Sequence, residues 1–228
     1  MKRLGIVGGL GPQTSSQFFV NVNNAVIAKT QVQPNMLMEN VAMPEAVLQR
    51  LASGETPNEV LNLLSKTVLR LQNSGAEFIV IPCNTVHVFI DQLRELCDIP
   101  IMSIIEESAI ECQKLGFRSI GVMASTTSIE QRLHINALEA RGIEVVLPSA
   151  CEQEEISEII VRIVTNTVRS EDALSLDVIA ASLKLQGAEG ILLACTDLRT
   201  IVNCDTDGIP FVDSTTALEK ATAIELLN

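Results

Sequence analysis

Two cysteines stand in matching company. Cys83 lies in Pro82-Cys83-Asn84-Thr85 and Cys195 in Ala194-Cys195-Thr196-Asp197, each directly after an apolar run and ahead of a helical segment. A thiol in that position meets the positive end of a helix dipole, which favours thiolate. Its ordinary pKa of about 8.5 is already near the working range. Asn84, Thr85 and Thr196 place short hydrogen-bonding groups beside the sulphurs. Two such thiols on opposite faces of a carbon acid suit one reaction well, the inversion of a stereocentre. One takes the proton as base, the other returns one from the opposite face as acid, and the roles swap in the reverse direction without a cofactor. The other four cysteines, at 97, 112, 151 and 204, read as reduced, structural thiols.

An internal repeat pairs these two cysteines. GAEFIVIPCNTVH (75–87) matches GAEGILLACTDLR (187–199) at an offset of 112. DIPIMSIIEESA (98–109) resembles GIPFVDSTTALE (208–219) at an offset of 110, and RLGIVGGLGP (3–12) more loosely resembles SIGVMASTTS (119–128). Three collinear matches argue for two related halves, 1–100 carrying Cys83 and 101–228 carrying Cys195, with the last helix free to pack back on the first half.

The elements that must position them alternate along the chain. Short β-branched runs at 3–8, 36–43, 77–83, 99–104, 118–124, 142–148, 189–195 and 209–213 read as strands. Amphipathic stretches between them read as helices. Thr56-Pro57-Asn58-Glu59 has a helix start with Thr as cap, Pro first inside and Glu closing a capping box. Gly75, Gly116, Gly142 and Gly187 stand where helices end. The expected fold is α/β: two pseudo-symmetric, open, doubly wound parallel sheets with a cleft between them. In such sheets the carboxyl ends of the strands face the ligand crevice, so the repeat sets Cys83 and Cys195 across one cleft.

Two further segments could hold an anion. Gly8-Gly9-Leu10-Gly11-Pro12 follows the first strand, but its GGxGP pattern is not the GxGxxG of dinucleotide loops. Gly9, Leu10 and Gly11 either offer backbone N–H groups to a carboxylate or form a plain tight turn. Ser125-Thr126-Thr127-Ser128 occupies the corresponding place in the second half. There Ser125, Thr126 and Ser128 either bind substrate or cap a helix. His87 reads as a structural histidine, and His134 as a residue of a solvated helix face.

Composition excludes several classes. The net charge of −12 argues against nucleic acid and anionic membranes. Only two histidines are present and no cysteines pair as CxxC, which leaves no zinc pattern. No apolar run is long enough to span a bilayer, and the basic start lacks a small-residue cleavage site. A soluble cytoplasmic protein is expected, with no metal and no nucleotide.

GIVGGLGP, IPCNTVH, ASTTSI and LACTDL together resemble the motifs of the aspartate/glutamate racemase family, in order and spacing, from the first strand to the last helix. The resemblance implies two similar α/β domains with the active site between them. It also implies PLP-independent catalysis with no cofactor, a homodimer, a small acidic amino acid as substrate, and the two cysteines as the acid/base pair. One departure concerns substrate. The arginine that family aspartate racemases carry after a proline falls here on Ala46, in Met43-Pro44-Glu45-Ala46. Arg50, one turn on, and Arg169, aligned with a basic family position, either replace it or face solvent, or the substrate differs. Glu45 and Asp197 are secondary candidates for orienting Cys83 and Cys195, or else a cap and a surface acid. The resemblance leaves open a cysteine-dependent dicarboxylate isomerase or decarboxylase, and a non-catalytic amino-acid-binding relative.

Overall fold

The computed structural model describes the chain apart from residues 53–54 and 203–207, and apart from the side chains at 45, 48, 49 and 52. Each of the eight expected runs contains one strand. The first half runs β1 (Leu4–Gly8), α1 (Pro12–Thr30), β2 (Met36–Asn40), α2 (Glu45–Ala52), α3 (Asn58–Asn73), β3 (Phe78–Val80), α4 (Ile90–Leu96), β4 (Ile101–Met102) and α5 (Ile104–Lys114). The second runs β5 (Ser119–Ala124), α6 (Thr126–Glu130), α7 (Leu133–Glu139), β6 (Glu144–Val146), α8 (Ala150–Val164), α9 (Asp172–Leu185), β7 (Gly190–Ala194), β8 (Phe211–Asp213) and α10 (Ser214–Leu227). Short 3-10 turns, Thr85–Phe89 and Leu198–Thr200, follow the two cysteines.

The strands form two four-stranded sheets, ordered β2-β1-β3-β4 and β6-β5-β7-β8, with every pairing parallel. The repeat in sequence is thus a repeat in topology. The first sheet takes in Ile101 and Met102, so it runs two residues past position 100.

Strand alternation sends neighbouring side chains to opposite faces. On one face of the first sheet, Val7, Ile79 and Ile81 meet Val60, Leu64, Val68 and Leu71 of α3. On the other, Leu4, Ile6, Phe78 and Val80 meet Phe18, Val22 and Val26 of α1, and also Leu218, Ala223 and Leu226 of α10. In the second sheet, Met123, Ile191 and Leu193 face α8 and α9. Ile120, Val122, Leu192 and Val212 face Leu138 of α7 together with Ala109 and Cys112 of α5. The two closing helices are therefore shared between the halves: α5 starts in the first core with Ile104 and Ile105 and passes to the second with Ala109 and Cys112, and α10 leaves the second sheet to cover the first.

Two local expectations are corrected. The helix α3 begins at Asn58, with Pro57 in the cap position at φ −66° and ψ 133° and no side-chain cap bond. The ring fixes φ and the extended ψ keeps Pro57 outside the helix, so Thr56 stands one residue too early to cap it. His134 is not on a solvated face; it is buried where α7 meets α5, and neither ring nitrogen has a hydrogen-bond partner. Burial holds its pKa down to about 3, with the nearby His87 as a further cause. Cys204 falls outside the described residues. Among the described residues, no helix is long and apolar enough to cross a membrane.

Candidate active site between the two sheets

Each cysteine follows a buried strand of its sheet, Cys83 three residues after β3 and Cys195 directly after β7, and precedes a 3-10 turn whose approach bends N–H groups back to the sulphur. The backbone N–H groups of Thr85 and Val86 point at Cys83, and those of Asp197 and Leu198 point at Cys195. These are equivalent positions, two and three residues after each cysteine. The sulphurs share one neighbourhood: charge on Cys83 bears on Cys195, and the Asp197 carboxylate bears on both. Asp197 Oδ2 lies 3.9 Å from Cys195 Sγ, where it accepts the thiol hydrogen.

Burial works against the thiolate that the sequence position favours. Burial is the largest influence on Cys83 and pushes its thiol up to about 12; the N–H groups at Val86 and Thr85 pull down, and Asp197 adds to the rise. Cys195 is raised well above the ordinary value, first by burial and then by Asp197. Two N–H dipoles do not offset the loss of water around a sulphur anion. Asp197 is itself raised by burial, while the Cys195 thiol works against that rise.

Contacts across the cleft lock the two halves together. Thr85 Oγ1 and Ser125 Oγ are 3.1 Å apart, and Ser125 Oγ lies 3.1 Å from Ser128 Oγ. Ser125 also caps α6, so its capping and cleft-facing roles coexist. Asn84 is buried and its Nδ2 donates to Ser214 Oγ of α10 at 3.1 Å, while its Oδ1 has no partner. Thr196 is buried beside Cys195. Thr127, not singled out in sequence, donates to the carbonyl of Leu51 at 3.3 Å and ties α6 to α2.

The glycine loop lies under the same cleft. A Cβ on Gly9, at φ 86°, would come within 2.8 Å of Asn40 Oδ1 and of the Val41 backbone, so the loop is pressed onto the end of β2. Gly11 caps α1 and faces Asp197, whose Oδ1 would lie 3.7 Å from a Cβ there. Leu10 turns its side chain into the first core, which leaves only its backbone for a ligand. Thr126 turns away to Ser157 Oγ, at 2.7 Å.

The cations divide. Arg50 is exposed and occupied: its Nε donates to Glu55 at 2.7 Å and its Nη1 to Glu59 at 3.1 Å. Ala46 is exposed on α2, and the side chain of Glu45 lies outside the described residues. Arg169 is exposed and lines, with Thr126, Ser157, Glu154 and Arg162, an open pocket of about 380 Å³. Its loop is fixed by a buried pair that sequence reading missed. The Arg162 fork holds Asp172 at 2.8–3.1 Å, and Asp172 accepts the Arg169 N–H at 2.8 Å. A second pocket of about 220 Å³ lies between the first turns of α1 and the turn after Cys195, lined by Gln13, Thr14, Gln17, Arg199 and Thr200. Arg199 was also missed; the signal was its match to His87 in the repeat.

The model of the family described as Asp/Glu/hydantoin racemase matches residues 7–222, nearly the whole chain. The chain belongs to the Asp/Glu/hydantoin racemase family, and with it to the isomerases. It is 23% identical to the broad specificity amino-acid racemase RacX of Bacillus subtilis over 96% of both chains. A Yersinia pestis chain provisionally described as an Asp/Glu racemase superposes over 100% of both chains with a TM-score of 0.88 and 26% identity. The Picrophilus torridus aspartate racemase shares the fold, at TM-score 0.82 and 22% identity, over 99% of this chain and 94% of that one. These racemase-family relatives carry the same two-sheet architecture, and the cleft described above is the candidate site of this chain within it.

Proposed function

We propose that this chain is an amino-acid racemase that works without PLP, metal or nucleotide, by two-base proton transfer between Cys83 and Cys195. The observation that carries this is the equivalence of the two sulphurs. Each follows the equivalent strand of its sheet, each faces the N–H groups two and three residues on, and both sit beside one carboxylate. The Cα–H bond breaks as one thiolate takes the proton. The electron pair passes into the substrate carboxylate, and the other thiol delivers its proton to the opposite face. The product leaves with the thiolate on the other side, ready for the reverse direction. The substrate ammonium brings a positive charge into a buried site, where it favours the thiolate that burial disfavours. The N–H groups of the glycine loop, Asn84, Thr85, Ser125, Ser128 and Thr196 are the groups proposed to hold the substrate.

Acidic amino acids are the proposed substrates, aspartate first and glutamate second, in a cytoplasmic homodimer in which the two halves of each chain enclose the site. Incubation of pure L-aspartate and, separately, L-glutamate in deuterated water after dialysis against EDTA tests this. Deuterium should appear at Cα in step with the D-enantiomer, and added PLP should change nothing. Exchange without inversion, or no exchange with either amino acid, would count against the reading.

Arg169 is kept as the proposed cation for the substrate side chain on its alignment with a basic family position; neither cysteine lines its pocket, which adjoins the site through Thr126, and Arg50 is committed to Glu55 and Glu59. A guanidinium–carboxylate pair is a strong, directional contact. Arg169→Ala should raise KM about tenfold or more, from the loss of roughly 1.5–3 kcal/mol. Arg50→Ala should stay within about twofold, as exposed ion pairs contribute little. Steady-state kinetics on the two folded variants decide it; the opposite ranking would move the side-chain contact to α2.

A further inference from the structure

At the repeat offset of 112, Arg199 falls on His87, and each stands four residues after its cysteine. The two side chains are chemically unlike, yet they reach the same corner of their respective halves. That corner is the junction between the edge strand and the helix that follows it. Cys83 O and the backbone N–H of Ile104, at the start of α5, flank the His87 ring at 2.8 Å from Nδ1 and 3.2 Å from Nε2. Since Ile104 donates to Nε2, the ring proton sits on Nδ1 and is donated to Cys83 O. Arg199 Nη1 lies 3.1 Å from Oδ2 of Asp213, the cap of α10, and 3.5 Å from Oε1 of Glu219. Asp213 in turn aligns with Ser103, the cap of α5, at an offset of 110.

The Arg199 anchor is built to stay put. Asp213 Oδ1 accepts the Thr215 N–H at 2.9 Å, and Oδ2 accepts the Thr216 hydroxyl at 2.8 Å. Glu219 Oε1 accepts from Asn21 of α1 at 2.9 Å. Both acids are mostly buried, with side-chain exposures of 15% and 12%. The turn that Arg199 closes, Leu198–Thr200, carries the Leu198 N–H aimed at Cys195, and the residue just before it carries the Asp197 N–H.

We propose that Arg199 is a positioning residue for Cys195, as His87 is for Cys83, each latching the turn behind its cysteine to the corner where the next helix of its half begins. The inference rests on the two-base reading above. Its distinctive consequence is asymmetry. A loosened Cys195 impairs proton abstraction from one enantiomer and proton delivery to the other. The Cα-deuterium isotope effect on kcat/KM should therefore rise for the enantiomer whose proton Cys195 removes, because that step becomes limiting. It should fall for the other enantiomer, whose proton Cys83 removes before the slow step.

The test compares Arg199→Met, Arg199→Lys, His87→Leu and His87→Gln, with Cys83→Ser and Cys195→Ser as references. Arg199→Met should lose about tenfold to a hundredfold in kcat, the scale of a 1 Å misplacement, with KM within about twofold. Arg199→Lys, which keeps the charge, should fold like the parent and recover part of the loss. His87→Leu should tilt the isotope effects in the opposite sense to Arg199→Met, and His87→Gln should do so less. A raised KM with kcat intact would make Arg199 a substrate contact and overturn the proposal. Equal isotope effects for both enantiomers, or the same tilt in both series, would overturn it too. If both serine variants remain active, the two-base reading fails and this proposal with it. If both are dead while the Arg199 variants stay symmetric, only the positioning role falls.

Discussion

Cys83→Ser and Cys195→Ser should each abolish measurable racemisation, with a fall of about 10²–10⁴ in kcat for the loss of one general acid–base group. Serine is the informative replacement. It keeps the small polar atom that receives the N–H groups of the turn, so the fold and the cleft contacts have no reason to change, but its hydroxyl is far too weakly acidic to carry the proton. Both directions should be followed by polarimetry, starting from each pure enantiomer. A carbon acid that must be protonated from the opposite face cannot turn over with one side mute, so the two losses should be of similar size. A serine variant that retained near-parental racemisation in either direction would end the two-base reading. Thermal unfolding recorded alongside would separate lost chemistry from lost structure.

The second large effect is on pH dependence. On the two-base reading the free enzyme must hold one cysteine as thiolate, yet burial raises Cys83 to about 12 and places Cys195 well above its ordinary value. The thiolate fraction then grows about tenfold per pH unit through the neutral range, and kcat/KM, which reports the free enzyme, should climb with it between pH 7 and 9. The kcat profile should be flatter, since the bound ammonium supplies the counter-charge. A flat kcat/KM profile would mean that the proton has already left, with Asp197 as the nearest acceptor. The same shifts set the upper limit of the experiment. A thiol whose folded pKa is raised contributes stability that is fully present below its ordinary value and is lost as pH climbs toward about 12. Cys112, also raised to about 12, first by burial and then by Glu111, adds to that loss. Rates taken up to pH 9 stay clear of it.

Much of the fold was legible because its signals are local. All eight strands lie within β-branched runs, and the repeat fixed both the doubling of the sheet and the equivalence of Cys83 and Cys195. What escaped depends on packing. The protonation of the two thiols is decided by how much water the closed cleft excludes, which no stretch of sequence carries. His134 looked solvated because its own helix is short and polar at its edges; its burial is set by how α7 packs on other elements, α5 among them. Leu10 shares a loop with Gly9 and Gly11, but its side chain belongs to the core. Arg50 is different. Its partners Glu55 and Glu59 lie five and nine residues on, so its commitment to surface ion pairs could have been read from the chain. Arg199 was hidden by chemistry: the repeat column pairs it with a histidine, and the common job shows only when the two corners are compared in space.

The sharing of α5 and α10 bears on how such a chain arises and unfolds. A single half, with its closing helix seated in part on another sheet, would leave apolar surface bare on both its sheet and its helix. Two separate copies of one half would cover each other only by trading those helices, the arrangement of a domain-swapped dimer. Joining the copies end to end turns that intermolecular trade into an intramolecular one and removes its dependence on concentration. The two termini then meet: the Lys2 N–H donates to Leu226 O at 3.1 Å, and the Lys2 ammonium pairs with Glu225. Because α5 serves both cores and α10 crosses from the second sheet to the first, thermal unfolding followed by calorimetry should show one cooperative transition rather than two.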